Sequence, residues 1–572
     1  MKESLYILLF LINVILINTD LIQTNDLQDA LNKVQPGDII ELSGGIYDKA
    51  PYKFIKSGEP GNPITIRPKL KSFIQFKSDS DNCIFELDKI SYINIEGSME
   101  LFNAKCGIKI QDSNNIIIKG LKIHDINQHS LIVSGDNIEI TDNEIYNFAL
   151  KSQNKRQSLT FGVYQCISVM AKTENNEFSN NITFKNNYIH DGYGEGIKFS
   201  YCEECSAINN TIINTLSMNI YLYSSKNLLI ERNIIKVTNE DYNSKFGKAV
   251  GLGLSSDSFY DIESVEIQNN VIIGCRIGIY YFITGTASYK DIKIYHNTIW
   301  MVDITPIWFA EPIGAPSNSE LFNNFIYHNK QSQLSPKSIW NIGYNIFYNS
   351  EKVPNQYSDT ESETSKAIKK MNLSEIFNNN NGECNYNNPN INITCFRPNS
   401  KIKMNIIHGG KKLKEGKKDF EGCERNDIPS IGAFEFPEGC KGDPEPTDSP
   451  VEPDIEYNVQ FKINYCVTGT QVVQIVGSLC NWNEKGGCIT MQKIENCNWI
   501  TMFREGTSKF FNYKFAIFNA GKIERWEDNP NREFNGTILK DKIKKSPKGI
   551  YEACEYETSG NLVMLTWHWR AF

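Results

Sequence analysis

From about Asp112 to Ile326 the chain repeats one short phrase in which apolar and polar positions alternate, Asn-Ile-x-Ile-x-x-Asn-x-Ile. It occurs as Asn137-Ile-Glu-Ile-Thr-Asp-Asn143-Glu-Ile145, Asn181-Ile-Thr-Phe-Lys-Asn-Asn187-Tyr-Ile189, Asn227-Leu-Leu-Ile-Glu-Arg-Asn233-Ile-Ile235 and Asp291-Ile-Lys-Ile-Tyr-His-Asn297-Thr-Ile299. Degenerate copies end at Leu121, Thr211, Asn270 and Asn324. A second alternating phrase precedes each copy, as in Cys106-Gly-Ile-Lys-Ile110, Glu195-Gly-Ile-Lys-Phe199, Asn219-Ile-Tyr-Leu222, Ile277-Gly-Ile-Tyr-Tyr281 and Pro306-Ile-Trp-Phe309. Alternation over four to six residues predicts strands with one buried face. The repeat length is about 22 residues, stretched in places by a loop and doubled once between Asn143 and Asn187.

Each unit holds at least two short strands and no helical stretch, so one unit cannot close a core alone. Stacked units can. An asparagine recurring at a turn suits a ladder of side-chain amides that satisfies buried backbone groups. Together these predict an all-β chain led by a right-handed parallel β-helix over residues 26–436. Asp26 to Val34 is amphipathic and predicts a helix covering the open end of the stack. Ser430-Ile-Gly-Ala-Phe-Glu-Phe436 predicts a last strand. Residues 437–455 hold Pro444, Pro446, Pro450 and Pro453 among acidic residues, Ser and Thr, which predicts an extended linker. A second domain spans 456–572.

The chain has 572 residues, with 40% hydrophobic and 12% aromatic, enough to bury a core. Its net charge of −8 disfavours nucleic acid as a partner. The apolar run Leu5–Ile17 behind Lys2 predicts a signal peptide over 1–19 and no transmembrane anchor. Secretion, or a luminal location, follows as an expectation, with a monomer as the default state. The 15 cysteines and the sequons at Asn181, Asn209, Asn372, Asn392 and Asn535 suit that compartment and a glycoprotein. Cys83 with Cys106, Cys384 with Cys395 and Cys423 with Cys440 are plausible pairs. Cys202-Glu-Glu-Cys205 reads as a local disulfide in preference to half a zinc site. The odd count leaves at least one thiol free or paired between chains.

Residues 26–436 resemble secreted right-handed β-helix proteins of the pectate-lyase-like superfamily. The likeness rests on the coil phrases, Gly44-Gly-Ile-Tyr47, Ser57-Gly-Glu-Pro-Gly-Asn-Pro-Ile-Thr-Ile66 and Ile431-Gly-Ala-Phe-Glu435. It implies the fold and leaves the activity open, because that superfamily holds lyases, hydrolases, epimerases and non-enzymes. Residues 456–572 are similar to starch-binding carbohydrate-binding modules of family 20, an immunoglobulin-like β-sandwich. The matching stretches are Val459-Gln-Phe461, Val476-Gly-Ser478, Leu479-Cys-Asn-Trp482, Trp499, Asn512-Tyr-Lys-Phe515 and Trp526-Glu-Asp-Asn-Pro-Asn-Arg532. The resemblance implies a starch- or glycogen-type α-glucan partner. It makes Trp482 and Trp526 the stacking platform, with Lys514 and Asn531 bonding sugar hydroxyls. Pyranose C–H faces stack on indole rings, which gives that assignment its physical sense.

In the β-helix the strand register puts Lys198, Tyr221, Tyr223, Tyr280 and Trp308 on an outward row, a candidate saccharide groove. Beside it stand Asp191, Glu195 and Lys198, the candidate catalytic set, with His190 near them. Glycoside hydrolysis needs two carboxyl groups, one of them protonated. A lyase would need a base such as Lys198 or Arg276, and Ca2+ or an arginine against a uronate. No other cofactor is expected. A carbohydrate-active enzyme and a non-catalytic glucan-binding protein both remain open at this point.

Overall fold

The computed structural model describes residues 21–435 apart from 25, 70–71, 79–80, 156–163, 174–176, 245–246, 258, 284–287, 310–318, 328–339, 349–365, 369–375, 378–383, 387, 389 and 399–408; beyond 435 it describes the strands between 458 and 568 with residues 471 and 491. The chain divides into two compact units, Met1–Val451 and Glu452–Phe572.

The first unit is the expected solenoid, with three strands per coil. One coil runs through Glu195–Ser200, then Cys202–Glu203 and Ser206–Ile208, then Thr211–Ile213. First and second strands continue into one another around a bend, as in the single strand Cys106–Lys119, and build a 22-stranded sheet. Third strands build a separate 13-stranded sheet. Pairing within both sheets is parallel throughout, each coil lying on the next. Inward positions are isoleucine-rich and fully buried, as at Ile116, Ile138, Ile182, Ile230, Ile267 and Ile294. Glycine opens several first strands because the coils approach closely there. A Cβ on Gly196 would lie 2.2 Å from the Asn219 carbonyl of the next coil.

The turn between second and third strands carries the asparagine ladder. It runs from Asn143 through Asn187, Asn210, Asn233, Asn270, Asn297 and Asn324 to Asn345, all buried. Each amide Nδ2 donates to the next Oδ1, as in Asn233 to Asn270 at 2.9 Å, and to a carbonyl of the preceding coil, as in Asn233 to Ala207 at 2.8 Å. Leu121 starts the ladder by donating only its backbone N–H, to Asn143 Oδ1.

Four expectations change. The ladder residue after Asn187 is Asn210, while Thr211 opens the third strand. The 44-residue step is one coil, because the second half of the merged strand Leu131–Thr141, from Asp136, pairs directly with Ser179–Lys185. The extra length is the insertion that leads, through a short 3-10 turn at Leu150–Lys155, into first strand Gln165–Val169. Residues 430–435 form no strand. They pack as a cap in which the Ala433 N–H donates to Thr298 Oγ1 and Arg425 is locked to Glu435 at 3.2 Å, both almost fully buried. The N-terminal helix is Leu27–Lys33, one residue shorter at each end; Asp26 caps it by accepting the Asp29 N–H, and Leu27, Ala30 and Leu31 face the core.

Cys83–Cys106, Cys202–Cys205 and Cys384–Cys395 are disulfides, which removes the zinc alternative at Cys202. Cys423 is also disulfide-bonded, and Cys440 lies outside the described residues. Cys166 and Cys275 are free and buried. No helix among the described residues is long and apolar enough to cross a membrane. The signal-peptide region 1–19 and most of the linker 437–455 lie outside the described residues.

The second unit contains a six-stranded and a five-stranded sheet, mostly antiparallel, with Asn458–Asn464 parallel to Leu562–His568.

Candidate functional site

The outward row of the first strands is set by coil register. Lys198 pairs with Tyr221, Tyr221 with Gly253, Gly253 with Tyr280, and Tyr280 with Trp308. The row is not a continuous aromatic surface. At Gly253 the missing side chain is replaced by Met218, whose sulfur would sit 2.2 Å from a Cβ there. Tyr221 is only 7% exposed, with its ring stacked on Phe282 and its hydroxyl bonded to Ser255 at 2.7 Å. Tyr280 and Trp308, with ring centroids 5.2 Å apart, are partly exposed and continue the row. Phe282, stacked on both Tyr221 and Tyr280, belongs to the same cluster. Extending the alternation of Ile277–Tyr281 by one residue would have found it.

Lys198 heads the row. Its ammonium lies over the Tyr221 ring at 5.1 Å and the Tyr223 ring at 5.7 Å, within cation–π range. Glu195, at the start of the same strand, is buried. Burial pushes its carboxyl up to about 7, while Lys198 and hydrogen bonds from Gln165 and Ser217 oppose the rise. Its Oε2 is buried without a hydrogen-bond partner. Such an atom is costly to keep and marks a place where a ligand atom or proton would be welcome. His129 adjoins the group and was not singled out from sequence. Its Nδ1 accepts the Gln165 N–H at 3.1 Å, which puts any ring proton of the neutral form on Nε2. Burial, helped by Lys198, pulls its pKa down to about 4, so the ring is neutral at ordinary pH.

Asp191 stands elsewhere. It occupies the turn after third strand Tyr188–His190, at φ 53°, and bonds His190 Nδ1 at 2.9 Å and Asn214 Nδ2 at 3.2 Å. It shares no side-chain partner with Glu195. His190 ends a stack on the third-strand face, Phe102–His124–Tyr146–His190, with centroids 4.8 to 5.5 Å apart. Burial alone would lower both histidine pKa values, but His124 against Asp125 and Glu100, and His190 against Asp191 and Glu144, end up raised. This face holds ionic partners for one another more than free groups for a ligand.

Asp419, Glu421 and Cys423 are the one trio of metal-capable side chains in mutual reach among the described residues. Cys423 is in a disulfide, and Asp419 accepts backbone N–H groups of Glu421, Cys423 and Glu435. The donors are spent on a turn.

In the second unit, Trp482 and Asn531 lie outside the described residues. Lys514 lies on strand Phe510–Asn519 and Trp526 ends Lys522–Trp526. Trp526 pairs in register with Ala516. Trp499 sits on Asn498–Phe503, opposite Ile463.

Residues 167–299 match the family model of the right handed beta helix region, and residues 456–542 match that of the starch binding domain. The chain carries a β-helix and a starch-binding domain. No curated protein matches it. Solved structures similar to it include XylC in complex with xylose, at 9% identity over 72% of this chain and 95% of that one, with a TM-score of 0.46. Pectate lyase Pel9A is similar at 14% over 74% and 98%, TM-score 0.41. An alginate lyase from Paenibacillus sp. is similar at 18% over 47% and 97%, TM-score 0.32.

Proposed function

We propose that this protein is exported, holds starch- or glycogen-type α-glucan through Trp482, Lys514, Trp526 and Asn531 of its starch-binding domain, and uses its β-helix to bind and cleave a polysaccharide along the row from Lys198 to Trp308. The observation that carries the β-helix part is Glu195, a buried carboxyl with an unpartnered oxygen, within electrostatic reach of the Lys198 ammonium. A carboxyl poised near neutrality can give a proton to a glycosidic oxygen or take one from a sugar carbon. Lys198 offers the charge that steadies the ionised form, and the neutral His129 offers Nε2–H to a sugar hydroxyl. Tyr280 and Trp308 supply the stacking surface. Hydrolysis requires a second carboxyl. Asp191 is engaged with His190 and Asn214. Ca2+ belongs to this reading only in the lyase form. Disulfides at three described pairs support an oxidising compartment.

The test is release of new chain ends from a panel of polysaccharides, read as reducing ends and as the ultraviolet absorbance of unsaturated ends. Glu195→Gln is expected to lose at least a hundredfold in turnover, the lower range for a positioned proton-transfer group. Unchanged turnover would refute the role.

A non-catalytic glucan-binding protein is the second reading, favoured by the burial of Tyr221 and the engagement of Asp191. Any chain cleavage by the purified protein would overturn it.

A further inference from the structure

A cleft of about 970 Å3 opens on the second-strand face, around the bend from the Lys198 row. Its floor is a register-aligned row, Asp136–Asn180–Glu203–Lys226–Glu263, one residue from each of five successive coils. Successive positions are about 4.8 Å apart, so the floor is an elongated track and not a point site. Above that floor it is lined by Lys172, Glu177, Phe178, Phe259, Tyr260 and Asp261.

Three features bear on what the track holds. The aromatic lining is built and held. Phe178 meets Tyr260 edge-on at 5.1 Å, and Lys226 lies over Phe178 at 5.7 Å. Asp257, itself bonded by the Tyr201 hydroxyl at 2.8 Å, accepts the N–H groups of both Phe259 and Tyr260 at 2.7 Å. That turn fixes Phe259 at 84% exposure on the lip, next to a Tyr260 that is 47% exposed. An aromatic presented to water beside polar groups is the composition of a site for an amphipathic ring.

The polar groups divide into spent and free. Asp136 is held by Lys172 at 3.0 Å through both oxygens, and Glu203 by Lys226 at 3.0 Å. The Asn180 amide and the Glu263 carboxylate make no side-chain hydrogen bond among the described residues. They are the acceptor and donor set that a vicinal diol requires.

The charge is one-sided. Five carboxylates face two ammonium groups among the described lining residues, a net of −3. A uronate or sulfated chain would be repelled along the whole track, while a neutral one would not.

We infer that this cleft is a second saccharide site of the β-helix, specific for a neutral oligosaccharide, with Phe259 as the stacking platform and Asn180 and Glu263 as the hydroxyl ligands. It stands apart from the chemistry assigned to Glu195. The experiment is isothermal titration calorimetry on the full chain carrying Trp482→Ala and Trp526→Ala, so that the starch-binding domain is silent. The probes are maltohexaose, cellohexaose, xylohexaose and, as the charged control, hexagalacturonate. At least one neutral hexasaccharide is expected to bind. Phe259→Ala, at an exposed position that should not disturb folding, should weaken it at least fivefold, as should Glu263→Ala. Binding lost in Lys198→Ala and kept in Phe259→Ala would put the ligand in the first-strand row; that result overturns this inference and leaves the proposed function standing. Absence of neutral binding, or tighter binding of hexagalacturonate, would overturn it as well.

Discussion

Replacing Glu195 by glutamine should change how the stability of the β-helix depends on pH, and the size of the change can be worked out. The carboxyl is buried and its folded pKa is raised by that burial from 4.5 to about 7. A raised acid disfavours its own ionised form in the folded state. Below the unfolded pKa both states are protonated and the site adds no pH-dependent penalty. Between about pH 4.5 and 7 the unfolded state loses its proton first, and folding stability falls. Above about 7 both states are ionised and the fall stops. A shift of this size corresponds to about 3 kcal/mol. Glutamine keeps the shape and carries no titrating proton, so that fall should vanish.

His124 and His190 also lower stability as pH rises, because their raised folded pKa values give stabilisation that is lost above them. The informative quantity is therefore the difference between wild type and Glu195→Gln, in which the histidines cancel. Guanidinium unfolding followed by far-ultraviolet circular dichroism at pH 4, 6 and 8 supplies it. Relative to its value at pH 4, the variant should gain about 3 kcal/mol on wild type by pH 8. A constant difference across that range would mean that Glu195 titrates as an ordinary surface carboxylate, and the proton-handling role would fall with it.

Asn233→Ala removes two amide donations and leaves the Asn210 N–H and Nδ2 without their acceptor, at 2.9 and 3.0 Å in the wild type. Buried orphans of this kind cost about 1–3 kcal/mol each, so a loss of about 3–6 kcal/mol is expected in chemical unfolding. Arg425→Met strands the buried Glu435 carboxylate and should cost about 3–5 kcal/mol, read as a lowered midpoint of the β-helix transition. Breaking Cys83–Cys106 with a double serine variant frees a loop spanning 23 residues and should cost about 3 kcal/mol by the chain-entropy estimate. An unchanged unfolding midpoint in any of these would remove the corresponding contact from the account.

The solenoid was readable because its determinants are local. An isoleucine every second residue specifies the strand, and an asparagine at one turn specifies the ladder. Two errors came from the same source. Spacing alone cannot separate a coil with an inserted loop from two coils, so the step from Asn143 to Asn187 was doubled. It also cannot choose between adjacent polar residues, so Thr211 was taken for Asn210. The cap at 430–435 has strand-like composition, yet its backbone is claimed by Asp419 and Arg425 of the preceding turn and by Thr298, 135 residues away. At the candidate site, Glu195 and Lys198 were visible as residue types beside a glycine turn. The setting of Glu195 was not, because Gln165 and Ser217, which bond it, come from distant parts of the chain. Asp191 stood four residues from Glu195 in sequence, but a turn of the chain sent it to another face. Phe259 left no mark at all: a phenylalanine in a polar loop looks the same whether it stacks inward or stands in water.

The decisive measurement is retention of the full chain on insoluble starch and glycogen, wild type against Trp482→Ala/Trp526→Ala. Wild type is expected to be retained and released by soluble maltooligosaccharide, and the double variant to pass through. Equal retention of both proteins would contradict the assigned platform, and a wild type that does not bind would contradict α-glucan as the ligand.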